Sequence, residues 1–193
     1  MIFKGIFSKL ELREKERVRA MHQVLVDIMV QTIIEQYQEE TYFYEDVLKI
    51  EKNSWEEFKS GKIALSEEKM QHIKGLFSDY EWMLVQKILR QTIIFPERRN
   101  FATAEYRRLK TMIAKNWLQM GGSAELISNK TQRSAGKNSK DYIDLKVSLT
   151  YGEWGFDDIL SFRLPAMIQK QLEGAKVDLL EWVQENLTDT YVH

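Results

Sequence analysis

Residues 103–151, TAEYRRLKTMIAKNWLQMGGSAELISNKTQRSAGKNSKDYIDLKVSLTY, change their hydrophobic period part-way, and that change decides the fold class. From Thr103 to Met120 the apolar residues Tyr106, Leu109, Ile113 and Trp117 recur at three- and four-residue steps. That is the spacing of one helical face. Gly121-Gly122 ends the helix. From Tyr142 the period is two: Ile143, Leu145, Val147, Leu149 and Tyr151 alternate with Tyr142, Asp144, Lys146, Ser148 and Thr150. This is the pattern of a half-buried strand, and Ala124–Ile127 is its expected hairpin partner. Elsewhere the chain reads as helix. Val18, Met21, Leu25, Ile28, Met29 and Ile33 stripe a long helix over Leu10 to Gln38. Shorter helices are expected over Tyr42–Ile50, Ser54–Lys59, Ser66–Phe77 and Tyr80–Ile94. Phe156–Leu164 and Ala166–Leu187 close the chain, also as helices. The expectation is a mainly α fold, a helical bundle with a small β-hairpin near 124–151.

Charge is segregated along the chain although the formal net charge is only −1. Lys and Arg against Asp and Glu number 6 to 3 in residues 1–22, 6 to 13 in 23–84, 13 to 5 in 85–146 and 3 to 8 in 147–193. A basic middle between acidic blocks points to a polyanion-binding face, or to two surfaces of one protein that dock on each other. With 193 residues the chain suits one domain, or an N-terminal helical region (1–95) and a helical body carrying the basic hairpin (96–193). No apolar run reaches a membrane span, and no cysteine is present. Disulfides, thiolate metal sites and a Cys nucleophile are thereby excluded, and a cytoplasmic location without membrane association is the natural reading.

Residues 41–78, TYFYEDVLKIEKNSWEEFKSGKIALSEEKMQHIKGLFS, carry a more specific pattern. Leu48 and Ile50 would flank a turn between two short helices, and Trp55 and Phe58 would face inward from the second. Phe58-Lys59-Ser60-Gly61 ends that helix, and Met70, Ile73, Leu76 and Phe77 close the apolar face. The segment resembles the central helices of the Cro/repressor-type (XRE) helix-turn-helix, with one inserted residue after Gly61. Glu45 departs from the small residue usual in the first helix, and Lys49 stands where the tight turn usually has glycine. The resemblance implies that Asn53, Ser54, Glu56, Glu57 and Lys59 lie on or near the exposed face of a DNA-reading helix, followed by Lys62. The alternative is a set of short helices within an all-α core.

A second constellation is basic. Arg98-Arg99, Arg107-Arg108 and Lys110 sit at or before the helix of residues 103–120, and Lys130, Arg133, Lys137 and Lys140 stud the polar loop before the strand. From Asn129 to Lys140 there are four bases and no acid. Helix, strand, basic loop, strand is the order of a winged-helix reader, in which such a loop follows phosphates; an ordinary solvated hairpin would look the same. The five tryptophans, Trp55, Trp82, Trp117, Trp154 and Trp182, read as core anchors.

Signs of catalysis are missing. Glu68 and His72 share a helical face without a third ligand, adjacent acidic residues diverge by about 100° on a helix, and no glycine-rich phosphate loop, nucleophile elbow or zinc-helix motif occurs. The expected protein is a non-enzymatic DNA-binding transcriptional regulator needing no cofactor or metal. Its expected partners are duplex DNA and, from the apolar surplus of Val177, Leu179, Leu180, Trp182, Val183 and Leu187, a second copy in a homodimer. The alternative is a helical interaction or regulatory protein with no nucleic-acid role, its acidic and basic blocks pairing within or between subunits.

Overall fold

The structure is a computed structural model that describes residues 2–129, 142–166, 168 and 179–191. Its elements are α1 (Ile2–Tyr37), α2 (Glu40–Tyr42, running into a π-turn at Phe43–Val47), α3 (Lys52–Lys59), α4 (Glu67–Lys74), α5 (Asp79–Ile94), a 3₁₀ segment (Pro96–Phe101), α6 (Ala102–Gln119), β1 (Ser123–Asn129), β2 (Tyr142–Thr150), a 3₁₀ turn (Gly152–Trp154), β3 (Asp157–Pro165) and α7 (Leu179–Tyr191). The protein is mostly helical with a small antiparallel sheet, as its two hydrophobic periods require. No helix among the described residues is long and apolar enough to cross a membrane.

The chain divides into two compact units: residues 1–77 with 84–105, and residues 78–83 with 106–193. The boundaries fall inside α5 and α6, so the units interleave in sequence rather than meeting at residue 95.

In the first unit α1 buries Val24, Val26, Ile28, Met29 and Ile33, while Val18, the first member of the expected stripe, is exposed. The stripe therefore becomes core only in the C-terminal half of the helix. Phe43, Trp55 and Phe58 form an aromatic chain, with Trp55 centred 6.1 Å from Phe43 and 5.7 Å from Phe58. Trp55 and Phe58 are buried, as their inward spacing predicts. Helix α3 starts at Lys52 with Glu51 before it, two residues ahead of the expected start at Ser54, which lies inside the first turn. Ser66 does cap α4, accepting from the Lys69 N–H.

The second unit packs α6 and α7 on one face of a sheet ordered β1-β2-β3. Leu145, Val147, Leu160, Phe162 and Leu164 supply the sheet's side of the core, and Ala114, Trp117, Leu118, Val183 and Leu187 the helices' side. Gly122 links α6 to β1 where a Cβ would lie 2.8 Å from the Ser148 carbonyl oxygen, so the approach of the two chains requires glycine. The expected helix over Phe156–Leu164 is instead β3, paired with β2 in register Leu145↔Phe162 and Val147↔Leu160. Its alternation of Leu160, Phe162 and Leu164 is short and interrupted at the start by Asp157-Asp158, which hid a two-residue period. Asp144 and Arg163, opposite each other in that register, form a two-pronged ion pair with Nε to Oδ1 at 2.8 Å.

The apolar face of α7 is largely covered by its own sheet. Val183 and Leu187 are fully buried, and Leu179, Leu180 and Trp182 pack partly against the same core. Val183 and Leu187 are therefore spent on the core of this unit, while Leu179, Leu180 and Trp182 stay half-buried; Val177 lies outside the described residues.

Candidate nucleic-acid interface

The α2–α3 turn is built by an uncommon backbone. Lys49 adopts φ of 51°, the left-handed region that disfavours residues with a Cβ. The Leu48 N–H reaches the Phe43 carbonyl and the Ile50 N–H reaches that of Tyr44, closing the preceding turn. Leu48 and Trp55 are buried on either side, so burial holds Lys49 in this conformation. At the other end of α3, Gly61 has φ of 71°, the Lys62 N–H bonds to the Glu57 carbonyl and the Gly61 N–H to that of Phe58. This is a Schellman termination, which glycine makes without strain. The His22 ring packs edge-on against Phe58, and its Nε2 is 2.6 Å from the Phe58 carbonyl oxygen. A carbonyl can only accept, so Nε2 carries the proton.

Along α3, Lys52, Asn53, Glu56 and Glu57 are exposed, as is Lys62 just beyond; Ser54 and Lys59 are half-buried. Lys59 departs from the expectation of a free reading cation. Its Nζ lies 2.8 Å from Glu40 Oε2 and 3.0 Å from Glu56 Oε1. Trp55 Nε1 donates to the same Glu40 oxygen at 2.6 Å. Burial lowers the Lys59 pKa, but the hydrogen bonds and charges of Glu40 and Glu56 together raise it above the ordinary lysine value. Two carboxylates thus hold a cation that sequence assigned to a nucleic acid, and Glu40 lay just outside the segment that suggested it.

The basic residues divide between the two units. Arg98 is exposed and stacks 4.9 Å over Phe95, while Arg99 donates through Nε to the Thr92 carbonyl. Both belong to the first unit with α3. Arg107 and Arg108 belong to the second. Lys110 is buried, with its Nζ 2.9 Å from Glu81 Oε1, and is not available to phosphate. Helical position put it beside the arginines in sequence but on the inward face of α6. Lys130, Arg133, Lys137 and Lys140 lie outside the described residues.

Two concavities flank α3 within the first unit. A groove of about 1160 Å³ beside Gly61 is lined by Val18, His22, Phe58, Ile63, Leu65 and Met70 among others. A cleft of about 520 Å³ has Glu56, Lys59 and Ser60 on one side and Gln23, Asp27 and Thr103 on others. Neither was legible beforehand, because each joins residues from distant parts of the chain. Among the described residues no group of three or more His, Asp or Glu side chains could hold a metal ion. Compared with protein-family models, curated proteins and solved structures, the chain matches none.

Proposed function

We propose that this protein is a cytoplasmic, non-enzymatic DNA-binding transcriptional regulator whose reading head is the segment 41–78. The observation that carries the reading is the left-handed Lys49 in the turn between two short helices, at the position where Cro/repressor-type helix-turn-helices usually have glycine. Burial of Trp55 and Phe58 behind α3 and the exposure of Lys52, Asn53 and Lys62 support it further. In this role Asn53 offers a side-chain amide to a base edge, and Lys62 offers a cation to phosphate.

One observation favours a second reading, a protein-interaction module without a nucleic-acid role. Glu56 and Glu57 are exposed on α3, and Lys59 is already paired to carboxylates. The charges of α3 itself, Lys52 and Lys59 against Glu56 and Glu57, cancel, so the helix offers a phosphate backbone no net attraction.

Selection from a randomised duplex pool at low ionic strength, followed by fluorescence anisotropy, separates the two. The DNA reading expects Asn53→Ala to change sequence preference. Lys62→Gln should lower the slope of log affinity against log salt by about 0.9. Replacing Lys130, Arg133, Lys137 and Lys140 with glutamine should weaken binding to all sequences alike. No binding even at low salt would remove the DNA reading and leave the interaction module.

A further inference from the structure

The apolar stripe of α1 runs past the core that it serves. Val18, His22 and Leu25 recur at four- and three-residue steps on one face, yet Val18 is 66% exposed and the other two are half-buried. The connection from α3 to α4 lines the same groove with Ile63, Ala64 and Leu65, three apolar residues in a row, of which Ile63 is 38% exposed. A loop turns without apolar side chains. A bare apolar run beside bare apolar helix surface therefore marks a contact that the first unit does not itself complete.

The floor of the groove is closed. Phe58 is only 3% exposed, and the His22 Nε2–H and the Phe58 carbonyl satisfy each other. A Cβ on Gly61 would lie 3.3 Å from His22 Cδ2, so α1 and the end of α3 close on each other at that point. The floor thus offers apolar surface without a hydrogen-bonding demand. An extended peptide would bring a backbone donor and acceptor at every residue to that floor. A helix about 10–12 Å across would bridge the walls without reaching Phe58. An alkyl chain has neither drawback.

Charge selects the other end of the occupant. The charged residues of the α1 wall, Glu14, Lys15, Glu16 and Arg19, gather at one end of it. Leu25 ends the wall about 15 Å beyond Lys15, at ~1.5 Å per residue. At about 100° per residue Lys15 lies about 20° and Arg19 about 60° round the helix from His22, against about 80° for Glu14 and about 120° for Glu16. The two bases stand nearer the axis of the groove than the two acids, and Lys62 adds a third exposed base from the connection.

We propose that this groove binds a small amphipathic anion, a straight-chain alkyl carboxylate. Its carboxylate lies at Lys15 and Arg19, and its tail lies along Val18, Ile63 and Leu25 over Phe58. This inference does not rest on the DNA reading, and its test uses no nucleic acid.

Calorimetric titration of the full chain at low salt, with carboxylates from octanoate to tetradecanoate and with the matching primary alcohols, tests it. Affinity should rise about fourfold for each added methylene, the equivalent of about 0.8 kcal/mol per buried CH₂, and level off once the tail spans the groove. Each carboxylate should bind roughly fivefold tighter than its alcohol. The double variant K15Q/R19Q should remove that preference and leave the alcohols unchanged. Ile63→Asp, at an exposed position, should weaken both series at least tenfold with the far-ultraviolet circular dichroism unaltered. Absence of binding at every chain length, a carboxylate preference that survives K15Q/R19Q, or indifference to Ile63→Asp would each overturn the proposal. Affinity that stays level as the tail lengthens would overturn it too, and would assign the groove to an occupant of another shape, such as a partner helix.

Discussion

Removing either partner of the buried Glu81–Lys110 pair should destabilise the protein, and unequally. Glu81 and Lys110 side chains are only 4% and 6% exposed, with Lys110 Nζ 2.9 Å from Glu81 Oε1. The same carboxylate accepts the Ser161 N–H of β3 at 2.8 Å and the Ser78 N–H at 2.9 Å. Ser78 returns the favour by accepting the Glu81 N–H at 3.1 Å, a reciprocal cap at the start of α5, and donates its hydroxyl to the Ile159 carbonyl. The Lys110 cation also lies 4.8 Å from the centre of the Phe162 ring. One carboxylate therefore fastens the first turn of α5 and the β3 strand to α6, which is why residues 78–83 belong with the second unit.

Lys110→Met removes the cation but keeps its methylene stem. The carboxylate stays buried with two backbone donors still on it, so the cost should fall near the low end for a broken buried pair, about 3 kcal/mol. Glu81→Ala leaves the ammonium buried without that counter-charge and strips two backbone N–H groups of their acceptor. At about 1–3 kcal/mol for each orphaned donor, the total should exceed 5 kcal/mol, comparable with the whole stability of a small domain. Urea unfolding followed by far-ultraviolet circular dichroism measures both. Lys110→Met costing under about 1 kcal/mol, or as much as Glu81→Ala, would refute the picture of Glu81 as the hub.

Other outcomes follow from the same geometry. Lys49→Gly should raise the stability of the first unit by about 0.5–1 kcal/mol, since relief of the left-handed strain exceeds the added backbone entropy; a lower urea midpoint would contradict the turn. Phe58→Ala should cost about 3 kcal/mol, at the low end for a buried phenylalanine because the adjoining groove lets the site relax; calorimetry measures it. Because Glu40 and Glu56 raise the folded Lys59 pKa, that pair's stabilisation is complete below the ordinary lysine value. It is lost as pH rises through the raised one, so melting temperature should fall more steeply above about pH 10 in wild type than in Lys59→Met. The Tyr151 phenol, whose pKa is raised first by its hydrogen bond to Asp158, should ionise at lower pH in Asp158→Ala, as followed by ultraviolet absorbance.

The elements with long, regular periods were legible in the sequence, and those whose signal came from tertiary partners were not. Helix α6 and strand β2 each show an unbroken period, and both stand where that period puts them. Strand β3 does not, because its acidic start serves the turn while only three of its residues face the core. The five tryptophans illustrate the same limit. Trp55 and Trp117 are core residues, but Trp154 is the most exposed large apolar side chain among those described. Its neighbours Gly152 and Gly155 carried the signal: two glycines three residues apart, bracketing an acid and an aromatic, mark a tight turn more than a core helix.

Charge was legible as blocks but not as contacts. Lys59 and Lys110 count as bases in any tally of the chain, yet each faces a carboxylate within 3 Å. A cation neutralised at that distance adds little to the field a polyanion meets, because the pair acts beyond a few ångströms as a dipole. Arg163 is likewise held by Asp144. Once Lys59 is set against Glu40 and Glu56, the exposed charges left on α3 are Lys52 and Glu57, which cancel, so a polyanion meeting this helix would depend on Asn53 and on Lys62 just beyond it.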